Sequence, residues 1–282
     1  TCRHTYIHTY IHTHIHTHTH THTHLYIHTE NNRMASKRLL LRKTIQIADK
    51  FKDEKAIYMV YQLDFRGRIY AVPNYLNPQG TDFAKGLLLF SEAKKLNEQG
   101  ACHLAIHGAN MFGYDKSSLQ ERIDWVQDNQ ERILSCAKDP LADLWWAKES
   151  DKPFQFLAFC KEWEGLVADP ENFESSLPVC ADGSCNGLQH FAAMLRSETT
   201  GKEVNLVPMD DPQDIYQKVA DTVTHKLKEM PDDLAQKWIE YGVSRSCCKR
   251  PCMVLPYGGK QYSFTDFVMD YIVEQRDKGI SH

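Results

Sequence analysis

Val-Cys-Ala-Asp-Gly-Ser-Cys-Asn-Gly-Leu-Gln-His, residues 179–190, passes from a short apolar run into a carboxylate flanked by small residues. Val179-Cys180-Ala181 is β-prone, so a strand is expected to deliver Asp182, Gly183 and Ser184 at its end. A carboxylate so placed can hold Mg²⁺ facing a cleft, and Gly183, lacking a Cβ, lets a metal and a substrate approach the backbone. Alone, Asp-Gly is equally an ordinary turn.

Downstream, Arg245, Lys249, Arg250 and Lys260 lie in a stretch from Tyr241 to Thr265 that contains no acid. Arg245 and Lys249 are i,i+4, so on a helix they share one face and could grip a triphosphate together. Tyr257-Gly258-Gly259 follows two helical turns after Lys249 and ends that helix with an aromatic ring near the same face. A solvated basic helix end is the plainer alternative. Pro251 and Pro256 fall inside this helix and predict a bend.

Upstream, residues 34–54 predict a basic amphipathic helix. Ile57 to Tyr61 is β-prone and runs into Asp64-Phe65-Arg66-Gly67-Arg68-Ile69-Tyr70, which reads as strand, turn and strand. Helical spacing dominates from Asp82 to about Phe112. Ser118 with Glu121 three residues on is a capping box, and Leu119, Ile123, Val126, Ile133 and Leu134 share the following helical face. Phe154 to Trp163 is dense in apolar and aromatic side chains and reads as core rather than a base-stacking surface. Asp211-Pro212 opens a helix carrying Ile215, Val219, Val223 and Leu227 at i+4 steps, and a further helix covers about Asp233 to Tyr241.

Of 282 residues, 42% are hydrophobic and 25% charged, which suits a globular chain. Beyond the opening tract about 250 residues remain, enough for one large domain or two ordinary ones. No apolar run approaches the roughly 20 residues that cross a bilayer, so a soluble protein with no membrane partner is expected. A net charge of −4 argues against a uniformly basic nucleic-acid-coating surface, though it permits a local basic site. Nine cysteines without C-x-x-C pairs, and nothing like a signal peptide, predict reduced thiols inside a cell.

Residues 4–29 repeat His-Thr-Tyr-Ile and then Thr-His, which is what CATA and CA repeats in DNA encode. Translated simple-sequence DNA or a misplaced start accounts for the Tyr and Ile as well; the other reading is a zinc- or nickel-chelating tail. The tract supports no organelle assignment. His103 and His107 have the spacing of a helical zinc pair but lack the Glu of H-E-x-x-H and a third ligand. Cys247, Cys248 and Cys252 read as small core residues.

Four ordered motifs carry a resemblance: Asp64 to Tyr70, Asn77-Pro78-Gln79-Gly80, Asp182 to His190, and Arg245-x3-Lys249-Arg250 with Tyr257-Gly258. Through them the sequence resembles the single-subunit RNA polymerases of bacteriophages and mitochondria, from about Ile57 to about Tyr271, and looks more phage-like around residues 70–80. The resemblance implies that Asp182 is one of two carboxylates holding a pair of Mg²⁺ ions, with the Gly183 carbonyl assisting. It implies that Lys249 meets the incoming nucleotide's phosphates and protonates the leaving pyrophosphate, with Arg245 as second clamp and Arg250 beside them. Tyr257 and Gly258 would stand by the sugar and base, while Arg68, Tyr70 and Asp64 would contact template or RNA–DNA hybrid. Tyr216 either reaches the site or sits in the core. Related DNA polymerases place a bulky Glu five residues after the metal Asp; here Gly187 leaves room for a 2′-hydroxyl.

The family's second metal carboxylate stands in a His-Asp-Ser motif, and no His-Asp pair occurs in this sequence. With one carboxylate, two Mg²⁺ ions would have too few protein ligands, so residues 1–282 alone are expected not to turn over. The rival reading is a catalytically dead remnant that only binds nucleotide or nucleic acid. The fold implied is α+β, mainly helical: a partial right-hand polymerase. Its parts would be a low-complexity tract over 1–33, a helical remnant over 34–54, a palm segment over 55–197 and the beginning of the fingers over 198–282. Expected partners are DNA template, nascent RNA and nucleoside triphosphates on a monomeric enzyme, in a bacterial host's cytoplasm or, alternatively, a mitochondrion.

Overall fold

The structure, a computed structural model, describes residues 28–65, 67–209 and 211–277. Residues 1–27 of the His/Thr tract, Arg66 and Asp210 lie outside these. The described chain is mainly helical, with four short strands, which agrees with the mainly helical α+β expectation. It forms two compact units: one runs to Asp115 and resumes over Ile123–Val179, and the other comprises Lys116–Arg122 and the chain from Cys180.

The first unit begins with helix α1, residues 28–51, which starts earlier than the helix read over 34–54. Glu30 and Arg33, one turn apart at 3.2 Å, support that early turn. Strands β1 (Tyr61–Leu63) and β2 (Ile69–Ala71) then pair antiparallel, Leu63 opposite Ile69. Asp64 closes the hairpin: its Oδ1 accepts the Arg68 N–H at 3.0 Å and its carbonyl accepts the Gly67 N–H at 3.0 Å, with Gly67 at φ 77°. On the outer edge of β2, Gln79 takes the place of a third strand. Its Oε1 accepts the Ala71 N–H at 2.7 Å and its Nε2 donates to the Ile69 carbonyl at 2.9 Å. Buried Asn77 shapes that loop, donating to the Pro73 carbonyl at 2.7 Å and accepting the Gln79 N–H at 2.9 Å. The Asn-Pro-Gln-Gly stretch thus satisfies backbone groups that a two-stranded ribbon leaves open.

The helical spacing over 82–112 resolves into α2 (Asp82–Gly86) and α3 (Glu98–Phe112), separated by β3 (Lys94–Lys95). Asn97 caps α3 by accepting the Gly100 N–H at 2.8 Å, and a cap needs extended backbone just where one continuous helix would have run. β3 pairs with β4 (Glu174–Ser175). The capping box forms as read: Ser118 N–H donates to Glu121 Oε2 at 2.8 Å, and Glu121 N–H to Ser118 Oγ at 3.3 Å. The helix it opens is two, α4 (Leu119–Asp128) and α5 (Gln130–Lys138), parted at Asn129, whose side chain donates to the Trp125 carbonyl at 2.8 Å. Next come α6 (Trp145–Glu149) and α7 (Pro153–Ala168). Asp82 caps α7 from far away in sequence, its carboxylate accepting the Phe154 N–H at 2.8 Å and the Gln155 N–H at 3.2 Å.

The core of this unit is built on α7, where Phe156 and Phe159 lie fully buried among Leu104, Val126, Ile133 and Trp145. The aromatic side chains of the run over 154–163 are therefore core, apart from the exposed Phe154. His107 is buried with them, and burial lowers its pKa to about 4. An unfolded imidazole titrates near 6.5, so between these values the unfolded chain binds a proton that the folded chain refuses. Stability is accordingly full above the unfolded value and falls with pH toward the folded one, by about 3 kcal/mol from this residue. Urea titrations between pH 4 and 7 should show that slope in the wild type and a shallower one in His107→Gln; equal slopes would contradict it.

The second unit contains α8 (Asn186–Leu195), α9 (Glu198–Glu203), α10 (Ile215–Glu229), α11 (Asp233–Tyr241), α12 (Arg245–Val254), a 3-10 turn (Leu255–Tyr257) and α13 (Gln261–Asp277). The strand expected at 179–181 does not form: these residues are exposed and irregular, outside both two-stranded sheets. β-propensity reflects fit to a pleated, half-buried surface, and these side chains face solvent. Helix α10 begins at Ile215 with Asp214 as its cap, rather than at Asp211-Pro212. Its Tyr216 and Ala220 pack against Cys248 and Cys252 of α12, so these cysteines are core. No helix of the described residues is long and apolar enough to cross a membrane.

Candidate functional site

Asp182 stands exposed in the irregular chain before α8, its Oδ1 accepting the Gly183 N–H at 2.8 Å. Gly183 lies under the Gln189 side chain: a Cβ there would come within 2.8 Å of Gln189 Oε1, while Gln189 Nε2 donates to the Val204 carbonyl at 2.7 Å. Cys185 turns the chain into α8 with φ 61°, a left-handed conformation. Gly187, buried in the first turn of α8, faces the 3-10 turn. A Cβ on it would fall 2.7 Å from Pro256 Cβ and 3.6 Å from Tyr257 Cε2. Beside it the Tyr257 hydroxyl donates to Asn186 Oδ1 at 3.0 Å. The structure therefore brings the Asp182 loop, Gly187, Tyr257 and Gly258 to one place, and the space over Gly187 holds the Pro256 ring.

Helix α12 is capped by Ser244 and buries Cys247, Cys248 and Cys252 on its inner face. Of the two prolines expected inside this helix, Pro251 lies within α12, while Pro256 lies beyond it in the 3-10 turn, ended by Gly258 at φ 86°. At the start of α12, Arg245 bonds through Nε to Asp214 Oδ2, and its guanidinium lies 5.2 Å over the Tyr216 ring. Burial alone would raise the Asp214 pKa, but the Arg245 hydrogen bond and charge, with the Tyr216 and Gln217 N–H groups, outweigh it and hold it below the ordinary 3.8. Asp214 is thus ionised at neutral pH and orients Arg245. Lys249, one turn on, is exposed, with no hydrogen bond or ion pair among the described residues. Arg250 points elsewhere, lying 3.5 Å from both Asp270 and Glu274 of α13. Tyr216 is 8% exposed and sits in the core beneath Arg245.

Asp64, Arg68 and Tyr70 belong to the hairpin of the first unit, where Asp64 serves the turn. As for a metal, Asp182 and the Gly183 carbonyl are the hard oxygen donors a divalent cation prefers. Among the described residues, however, no three His, Cys, Asp or Glu converge. They supply a ligand and not a complete site.

Sequence reasoning assigned no contact to Asn186, Gln189, Asn205 or Asp214, and read Pro256 only as bending its helix. Asp214 was findable, since it directly precedes the i+4 apolar series; the others are defined by contacts with residues distant in the chain.

Residues 94–281 match the family of DNA-dependent RNA polymerases, and the chain belongs to it. It is 42% identical to the DNA-directed RNA polymerase of Enterobacteria phage T3, over 85% of this chain and 30% of that protein. To T7 RNA polymerase of Escherichia phage T7 it is 41% identical with the same coverage. The mitochondrial DNA-directed RNA polymerase of Neurospora crassa is 39% identical over 81% of this chain and 16% of that protein. The chain thus spans about a third or less of the length of these relatives.

Proposed function

We propose that the protein to which this chain belongs performs DNA-templated RNA synthesis, transferring nucleotidyl groups from ribonucleoside triphosphates, and that this chain supplies one metal carboxylate and the nucleotide grip. The observation that carries the reading is the convergence of the Asp182 loop, Gly187 and Tyr257 at one end of a helix whose Lys249 is unengaged. Lys249 offers a compact charge with three donors to a phosphate group. Arg245, held through Nε by Asp214, keeps its four remaining N–H donors for a second phosphate contact. Arg250, paired with α13, adds positive potential rather than a direct grip. Tyr257 and Gly258 flank the sugar and base, and Arg68, Tyr70 and Asp64 contact template or hybrid. Mg²⁺ is the cation that Asp182 and Gly183 suit, and its shell needs further carboxylates. DNA template, nascent RNA and triphosphates are the partners, the working enzyme is a monomer, and it acts in a host cytoplasm or a mitochondrion.

The 282-residue chain by itself should bind ATP weakly, with an affinity that falls as salt rises. It should give no RNA extension on a primed DNA scaffold with Mg²⁺ or Mn²⁺. ATP affinity unchanged in Lys249→Ala would remove the grip from the proposal. Extension that vanishes in Asp182→Ala would show that the chain holds a second functional carboxylate after all.

A further inference from the structure

Asn205 is a non-glycine residue in the left-handed region, with φ 56°, and its side chain is fully committed. Its Nδ2 donates to Ser184 Oγ at 2.9 Å and to the Gln213 carbonyl at 2.7 Å, while its Oδ1 accepts the Gln213 N–H at 2.7 Å. The Gln213 backbone fixes which end of the amide is oxygen, since an N–H must meet an acceptor and a carbonyl a donor. Asn205 also follows Val204, which is wholly buried and whose carbonyl receives the Gln189 side chain that covers Gly183.

The bonds to Gln213 matter because of what comes next. The Gln213 carbonyl belongs to the peptide that leads into Asp214, so Asn205 sets the plane from which Asp214 departs. Asp214 Oδ1 accepts the Tyr216 and Gln217 N–H groups at 3.0 and 3.3 Å, and its Oδ2 takes Arg245 Nε. A continuous line of hydrogen bonds and one peptide therefore joins Ser184, two residues from Asp182, to Arg245 at the start of α12.

We propose that Asn205 is a positioning residue that fixes the Asp182-Gly183-Ser184 loop and the Asp214–Arg245 pair relative to each other, so that the metal carboxylate and the second phosphate clamp are presented together. This rests on the reading of Arg245 as a phosphate ligand. Substitution by glycine keeps the positive φ and deletes only the amide, which separates hydrogen bonding from backbone strain. Asn205→Asp keeps the acceptor for Gln213 N–H and loses both donors, and it serves if the glycine variant fails to fold.

The direct test follows the Arg245 Nε–H by ¹⁵N NMR in the 282-residue chain, with the resonance assigned by its loss in Arg245→Lys. In the wild type that hydrogen should exchange slowly with water. In Asn205→Gly it should exchange about tenfold faster, and in Asn205→Asp about threefold faster. ATP affinity, measured by calorimetry, should fall several-fold in Asn205→Gly and fall no further when Arg245→Ala is added to it. Unchanged Arg245 exchange in both Asn205 variants would overturn the proposal, as would affinity losses that simply multiply. A wild-type chain that binds no ATP would instead remove the triphosphate reading, with Arg245 exchange still deciding whether Asn205 positions it.

Discussion

Gly187→Ala should destabilise the second unit by about 1–3 kcal/mol, the usual cost of forcing atoms into a filled space, and Gly187→Glu should cost more. The first added carbon would sit 2.7 Å from Pro256 Cβ and 2.9 Å from Pro256 Cγ. Pro256 cannot swing aside as a long side chain would, because its ring is closed on the backbone of the 3-10 turn. The turn must move, and Tyr257 moves with it, breaking the bond to Asn186. For a working polymerase the sequence reading expects Gly187→Glu to lose ribonucleotide incorporation far more than deoxyribonucleotide incorporation, and Tyr257→Phe to relax sugar choice. The packing adds that alanine alone should already shift sugar choice by displacing Tyr257. Thermal unfolding and paired incorporation assays check this: an alanine variant as stable as the wild type would refute the packing argument, and equal losses for both sugars in the glutamate variant would refute the steric one.

Phe159→Ala should cost about 3–5 kcal/mol, the range for deleting a buried aromatic ring. Phe159 is wholly buried, with Phe156 at 5.7 Å and Trp163 at 5.7 Å between ring centroids. Its ring also rests on Gly108, where a Cβ would approach ring carbons to 2.3 Å. The ring has no free volume to retreat into, so Gly108→Ala should be destabilising from the opposite direction, by overfilling. Because both substitutions act on the one contact between Gly108 and the Phe159 ring, Phe159→Ala with Gly108→Ala should be less damaging than the two losses summed. Urea denaturation of the two single variants and the double one measures the coupling, and strict additivity would contradict the contact.

What was legible in the sequence was local. The capping box at Ser118 and Glu121 needs four residues, and α11 spans Asp233–Tyr241 as its pattern predicts. The Gly67 turn was readable because only a few residue types suit a positive φ. What was not legible depends on partners far away in the chain. Asp82 caps α7 across more than seventy residues, and Gln79 mimics a strand with its side chain. Val179-Cys180-Ala181 has a strand's composition but lies exposed and irregular. At the site, the motifs named Asp182, Gly187, Arg245, Lys249 and Tyr257, but spacing along α12 could not show that Arg250 turns to α13. Nor could it show that Arg245 is already held by Asp214, because the acid lies 31 residues away.

The central claim, that these residues form part of a polymerase's metal and nucleotide site, is most directly tested by exchange with a relative. The segment from Ile57 to Tyr271 would replace its counterpart in T7 RNA polymerase, to which this chain is 41% identical, and RNA extension would be followed on a primed DNA scaffold. The account predicts extension with ribonucleotides. It also predicts a loss in Asp182→Ala of several kcal/mol of transition-state stabilisation, on the order of a thousandfold in rate. A folded chimera that makes no RNA, or one whose rate is untouched by Asp182→Ala, would contradict it.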